Sequence, residues 1–460
     1  MVDCAPRSRR RFLSDAAVAG AGLAVGAGVL GSGSTAQAAR AGASPVTITY
    51  LDYQKLRIQW ADRWLPRFER AMAAAGHPIN VNHQVGPTPD VDFRTKITVS
   101  YAANNAADVI AYGVNWLAPF VSAGYLLDLS PYVSKWPDWT SKYYPVITKE
   151  CMVGGKTYAV PQEAGLEMLF YRKDILDKYH ISTAQPQSWA DLLDRAREIK
   201  RKTGKWALLY DAGVQWGGGV WEEAFANLML GTHSRIYDLA AKKWVIRSKG
   251  LLQCFQFYET LTKEKLMPIQ PLLNPSPWII PKYKMFPAGD LVISCGGSWS
   301  WQFDWGPQGA GPIPHELEVL GTWNFPTVDG KGKPFVWAGA GFVYTISANS
   351  QHPAEAFELI KYLTQPHPSA DELYTIGAVS PRNDTHNVAP YNKLPKIVST
   401  ESLLTKGKYF STYDGQDKWE AYIADATEAI ITGRANAQQA LDLFASECRK
   451  GLGAAHVTEE

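Results

Sequence analysis

The chain predicts an α/β protein built from two open α/β domains. Strands and helices alternate from residue 46 onward, which implies βαβ units and a mainly parallel sheet. At 460 residues and 46% apolar composition the chain is too long for one ordinary core. A glycine-rich strand, Phe335-Val-Trp-Ala-Gly-Ala-Gly-Phe-Val-Tyr-Thr-Ile-Ser347, then feeds a helix opening at Pro353. That helix places Ala356, Phe357, Leu359, Ile360 and Leu363 on one face, with Pro366 and Pro368 expected to stop it.

The first 38 residues read as a targeting segment. Arg7, Arg9, Arg10 and Arg11 precede an Ala/Gly-rich apolar run from Ala16 to Leu30, and Ala36-Gln37-Ala38 is a cleavage pattern. Ser8-Arg9-Arg10-Arg11-Phe12-Leu13-Ser14 resembles the twin-arginine export signal, with Ser14 where Lys is usual. No Cys follows the run, so a lipid anchor is not expected. Removing residues 1–38 takes four of the 46 Lys and Arg and two of the 44 Asp and Glu, leaving 42 of each. A chain with no basic excess is not built to bind nucleic acid. Of five Cys, Cys151, Cys254, Cys295 and Cys448 remain, with no C-x-x-C spacing for a metal. An oxidising compartment permits disulfides among them, and buried free thiols are the equal alternative.

In order, Val46 to Tyr53 alternates as a strand. Trp60, Trp64, Leu65, Phe68 and Met72 recur at helical spacing up to Gly76. Ile79–Val85 is a second strand, 92–103 a helix, 107–112 a third strand, and 115–123 a short helix ended by Gly124. Open α/β sheets bind ligands beyond the carboxyl ends of their strands, which nominates Asp52, Tyr53, Gln84 and Tyr112 to Trp116, including Asn115. Ser188 is an N-cap with Asp191 at the capping-box position. Residues 206–210 form a strand and Asp211 to Gly219 a glycine-rich loop containing Trp216. Helices follow at 221–230 and 251–262, with a hairpin over 237–246. Two last helices, 416–432 and 437–449, join at Gly433-Arg434.

Several stretches match one family. Gly155-Lys-Thr-Tyr-Ala-Val-Pro161 with Leu169-Phe-Tyr-Arg-Lys-Asp-Ile-Leu176 fits a "G-K-x-Y-x-x-P … L-x-Y-N-K-D-L-F" pattern, with Arg172 in place of Asn. Tyr283 to Trp301 fits "F-x-x-G-K-A-A-M-x-x-x-G-S-W", with Asp290 replacing Lys. Ile376-Gly-Ala-Val-Ser-Pro-Arg382 fits "G-x-x-P-x-R". Together with 335–364 they resemble the extracellular solute-binding proteins of carbohydrate ABC importers, the group that includes maltose-binding protein. The resemblance implies a periplasmic-binding-protein type II fold, two open α/β domains joined by a three-segment hinge. It places one lobe at 46–162 and 338–377 and the other at 163–337 and 378–455. It further implies a sugar or oligosaccharide held in the interdomain cleft, delivery to a membrane permease, a monomer in the periplasm, and no cofactor. In the family the glycine-rich strand touches the ligand, and the Trp at the place of Trp299 often packs on the sugar.

Sugars need flat aromatic surfaces for their C–H faces and charged or amide groups for their hydroxyls. The chain offers Tyr53, Tyr112, Trp116, Trp216, Trp299 and Trp301 at strand ends, beside Asp52, Asn115, Glu163, Asp211 and Arg382. Trp337 sits by the second crossing, where Gly339 and Gly341 let backbone approach a ligand. Structural readings compete: Trp116 and Trp419 as core, Asp52 as a helix cap, Arg382 as an ion pair. An enzyme acting on glycans would need two carboxylates about 5–10 Å apart across the cleft, and no local acid pair or hydrolase motif stands out. A polyamine receptor would need several cleft carboxylates facing aromatics, whereas the charge-balanced strand ends fit a neutral ligand better.

Overall fold

A computed structural model describes residues 44–460 apart from 89 and 412. The export segment expected at 1–38, Cys4 included, lies outside the described residues.

Two sheets organise the chain. In the first, Val46–Asp52 pairs in parallel with Ile79–Val85, from Val46 opposite Ile79 to Asp52 opposite Val85. It also pairs in parallel with Val109–Gly113. The order across the sheet is Ile79–Val85, Val46–Asp52, Val109–Gly113, Phe342–Ile346, Ala159–Pro161, with Phe342–Ile346 antiparallel to both its neighbours. The helix Lys55–Ala74 lies against it because Trp60, Ala61, Leu65 and Phe68 share one buried face. In the second sheet the order is Leu320–Trp323, Ala164–Arg172, Leu291–Gly297, Trp206–Leu209. Ala164–Arg172 is buried at every residue before Arg172, the near-continuous apolar run of a strand covered on both faces.

The chain passes between the sheets three times. Only Gln162 and Glu163 separate Ala159–Pro161 in the first sheet from Ala164–Arg172 in the second. The stretch 335–347, expected as one strand, is two. Trp337–Ala340 pairs with Ala164–Arg172, Gly341 crosses, and Phe342–Ile346 joins the first sheet. The second crossing therefore falls at Gly341, a few residues beyond the expected 337/338 boundary. The third runs from Gly377 to Arg382, where Ala164 N–H donates to the Val379 carbonyl at 2.8 Å.

Other elements refine the expectations. Pro366 does not end the helical run: it opens a second helix, Pro366–Ile376, immediately after Pro353–Leu363, because Pro is well suited to a first turn. The segment expected as a helix over 221–230 opens with a wide π turn, Val220–Phe225. The capping box forms as expected, Asp191 N–H donating to the Ser188 hydroxyl at 3.1 Å and Ser188 N–H to the Asp191 carboxylate at 3.2 Å. Cys151, Cys254, Cys295 and Cys448 are buried free thiols. Among the described residues no helix is long and apolar enough to cross a membrane.

Candidate functional site

Between the two sheets lies a cavity of about 580 Å³. It opens at the carboxyl ends of Val46–Asp52 and Val109–Gly113, where an open α/β sheet leaves its crevice. The first sheet contributes Tyr53 and Asn115 with Trp116. The second contributes Glu167 and Trp299. The crossings supply Glu163, Gly165 and Gly341, with Trp337 beside them. Glu150, from the helix Pro145–Glu150, and Trp221, Glu222, Phe410 and Glu420, from segments beyond the second sheet's first strand, extend the wall.

Local chemistry explains how these groups are aimed. Asp52 is fully buried and accepts from Tyr53 N–H at 2.6 Å, Gln54 N–H at 3.2 Å and the Tyr50 hydroxyl at 2.9 Å. It fixes the turn from strand into helix and thereby presents Tyr53, which stacks on Phe93 at 4.0 Å and 19°. Burial pushes the Asp52 carboxyl up, and Arg57 with these donors partly offsets it. Trp299 lies flat over Gly297, since any Cβ there would overlap its indole. Trp221 is held edge-on to Trp419 at 5.2 Å and beside Phe410 at 5.3 Å.

Two charged clusters flank the cavity. In the first, Arg57 donates to Glu163 at 2.5 Å and to Glu372 at 2.6 Å, and its guanidinium lies 4.2 Å over the Phe342 ring. Burial opposes the Arg57 charge, but the two glutamates outweigh it and push its pKa up. Glu163 also accepts from Phe342 N–H at 3.1 Å, occupying the space a side chain at Gly341 would need. In the second, buried Lys282 pairs with Glu223 and stands 3.8 Å from Asp211. Facing the cavity are Glu150, Glu167, Glu222 and Glu420. Burial drives Glu150 and Glu167 well above the usual carboxylate range and Glu420 to about 8.

Of the residues nominated from the sequence, Tyr53, Asn115, Trp116, Glu163, Trp299, Trp337 and Gly341 are brought together in the cavity lining. The others are placed elsewhere. Asp52 caps the turn behind Tyr53. Gln84 sits on the edge strand opposite Leu51. Tyr112 is buried, stacked on Trp116 at 5.8 Å and edge-on to Phe120. Asp211 is wholly buried beneath the wall, beside Lys282 and Cys295. Trp216 is buried against Trp278 and Lys282. The space over Gly339 is filled by the Trp337 ring and the Glu150 carboxylate, so this glycine serves their packing. Arg382 is 1% exposed and bound to Asp138 at 2.9 Å and Asp384 at 2.8 Å. Trp301 is buried edge-on to Phe170 at 5.3 Å because the strand ends at Gly297 and a 3₁₀ turn follows. Glu150, Glu167, Trp221, Glu222, Phe410 and Glu420 were not nominated. Glu167 carried a readable signal: it is the one acid within Ala164–Arg172, otherwise an apolar run.

Two α/β halves joined by three crossings, with a cavity at the strand ends between them, define a type II binding-protein fold. Residues 67–399 match the family of bacterial extracellular solute-binding proteins, and the chain belongs to it. A Brucella abortus protein described as a binding protein is 28% identical over 185 residues, spanning 40% of this chain and only 42% of that relative's length. A Deinococcus radiodurans protein named "Probable ABC transporter-binding protein" is 24% identical over 350 residues, 70% of this chain and 77% of that one. The solved structure of the sugar-binding protein MalE from Xanthomonas citri superposes with a TM-score of 0.72 at 21% identity, covering 88% of this chain and 97% of the other.

Proposed function

We propose that the protein is an exported receptor that captures a sugar or small oligosaccharide between its lobes and hands it to an ABC permease. The observation that carries this reading is the cavity itself. Aromatic rings stand on both walls, Tyr53 and Trp116 on one and Trp221, Trp299 and Trp337 on the other, with carboxylates between them. Aromatic faces match sugar C–H surfaces and carboxylates match hydroxyls. The lobes are 46–162 with 342–377, and 163–340 with 378–455, the three crossings forming the hinge. Closure then selects the liganded state through the extra contacts made across the cleft. Residues 1–38 are the export signal, read by the twin-arginine route, and the mature chain works in the periplasm as a monomer. It performs no chemistry on its cargo and needs no cofactor or nucleic acid.

The test is a thermal-shift screen of purified protein against mono-, di- and trisaccharides, polyols and polyamines. A ligand at one hundred times its Kd stabilises the native state by about 2.7 kcal/mol. A shift confined to one sugar class supports the receptor and names its cargo. Hydrolysis of a glycan by the purified protein would instead make it an enzyme.

A further inference from the structure

The inner wall of the cavity is richer in acid than a neutral solute requires. Glu167 has no exposed surface, borders the cavity, and neither of its carboxylate oxygens has a hydrogen-bond partner. Glu150 is 3% exposed; its Oε2 accepts from Ala340 N–H at 2.6 Å while its Oε1 has no partner. Glu222 lies within electrostatic reach of Glu150, Glu167 and Glu420. Among the described residues, three of the cations near this wall are already committed. Arg57 is bound by Glu163 and Glu372, Lys282 by Glu223 with Asp211 beside it, and Arg94 by Asp417. Lys55, exposed at the first turn of its helix, also lines the cavity. A buried, unpartnered carboxylate is costly unless it stays protonated or a cation arrives beside it.

We propose that this cavity takes a solute carrying a protonated amine, with the ammonium seated against Glu150, Glu167 and Glu222. An amino sugar and a linear polyamine share that chemistry. The flat walls of Trp221, Trp299 and Trp337 favour the sugar, whose ring they cover while their faces also attract the cation. This deepens the sugar-receptor reading and rests on it for the ring, not for the ammonium. A neutral sugar can donate hydroxyls to these carboxyls, but it brings no charge to balance them once water is excluded.

Proton linkage supports the same assignment. In the empty protein burial holds Glu150 and Glu167 well above the usual carboxylate range. Glu150 faces Ala340 N–H and Glu222, and Glu167 faces Glu223, Lys282, Glu222 and Asp211. Glu420, at about 8, faces Gln416, Glu222, Asp417 and Arg94. An arriving ammonium expels protons from this group, so its affinity rises with pH until the amine itself deprotonates.

The experiment uses calorimetric titration with ligands differing only at one ring substituent. Cellobiose and cellotriose carry a hydroxyl, the matching β-1,4 oligomers of glucosamine an ammonium, and their acetylated forms a neutral amide; spermidine is the linear amine. The glucosamine oligomers are expected to bind at least about ten-fold more tightly than the hydroxyl and acetylated forms, the minimum a charge-assisted contact supplies. Their binding enthalpy should vary with the buffer's ionisation enthalpy, reporting proton release. Glu167→Gln should remove most of the preference while leaving the melting temperature of the empty protein unchanged or higher. Equal or tighter binding of the neutral forms overturns the amine subsite and leaves the sugar receptor standing. Binding of spermidine alone keeps the ammonium subsite and overturns the sugar reading. No binding by any amine overturns the inference.

Discussion

Arg57 and Glu163 meet at 2.5 Å, and this pair links the first helix to the first crossing between the sheets. The same guanidinium holds Glu372, one turn before the third crossing, while Glu163 accepts from Phe342 N–H at the second. One buried cation thus joins all three passages of the chain. Arg57→Met strands two acids in the interior and is expected to cost about 3–5 kcal/mol in urea unfolding. Adding Glu372→Gln should recover part of that loss. A cost below about 1 kcal/mol would mean the pair is a surface-like contact.

Trp299 depends on Gly297 for its pose, because a Cβ at 297 would occupy the space of the indole. Gly297→Ala should destabilise the fold by about 1–3 kcal/mol and weaken binding of whichever solute the screen identifies. Trp299→Ala should weaken binding by about 1 kcal/mol or more with little effect on the empty protein's melting temperature. Unchanged affinity in both variants would remove Trp299 from the ligand's surroundings.

The buried acids predict a pH dependence with a definite sign. Burial raises Glu420 to about 8, and raises Glu401, beside Tyr391 and 3.7 Å from His386, to about 7. Unfolded glutamates titrate near about 4.3, so between there and about 8 the native state holds more protons. The stability these groups contribute is full below the unfolded value and is lost as pH rises through the folded ones. The melting temperature of the empty protein should therefore fall from about pH 5 to about pH 8. Glu420→Gln should flatten the upper part of that curve. The surface acids held low, among them Asp128 and Glu264, act below this window. A melting temperature that climbs toward pH 8 would contradict the assignment.

The thiols give a further check. Burial raises the pKa of Cys151, Cys254, Cys295 and Cys448, so the reactive thiolate is suppressed as well as hidden. These four should resist a thiol reagent in the native protein and react after denaturation, and reductant should leave the melting temperature unchanged. A reductant-sensitive melting temperature would reveal a disulfide.

Much of the fold was legible because it rests on local pattern. Ile79–Val85 matches the expected strand end for end. The helix Gln416–Ile431 stops one residue short of expectation. The capping box at Ser188 forms as its residues demand. The site was legible mainly at strand ends and at the first crossing. Tyr53, Asn115 and Trp299 follow directly from where a parallel sheet stops, and Glu163 from its place at a crossing. Trp221, Glu222, Phe410 and Glu420 come from segments far from any strand end, and no periodicity points them inward.

The sequence alone determined the alternation of elements and the family pattern, because propensity, periodicity and motif are properties of neighbouring residues. Only the tertiary structure decided that Asp52, Asp211 and Arg382 are structural while Glu150 and Glu167 face the cavity. It also decided that 335–347 breaks at Gly341 into strands of two sheets. A side chain's role here depends on which distant groups surround it, how much water they exclude and which charges they leave unmatched. Those quantities arise only when segments hundreds of residues apart are packed together.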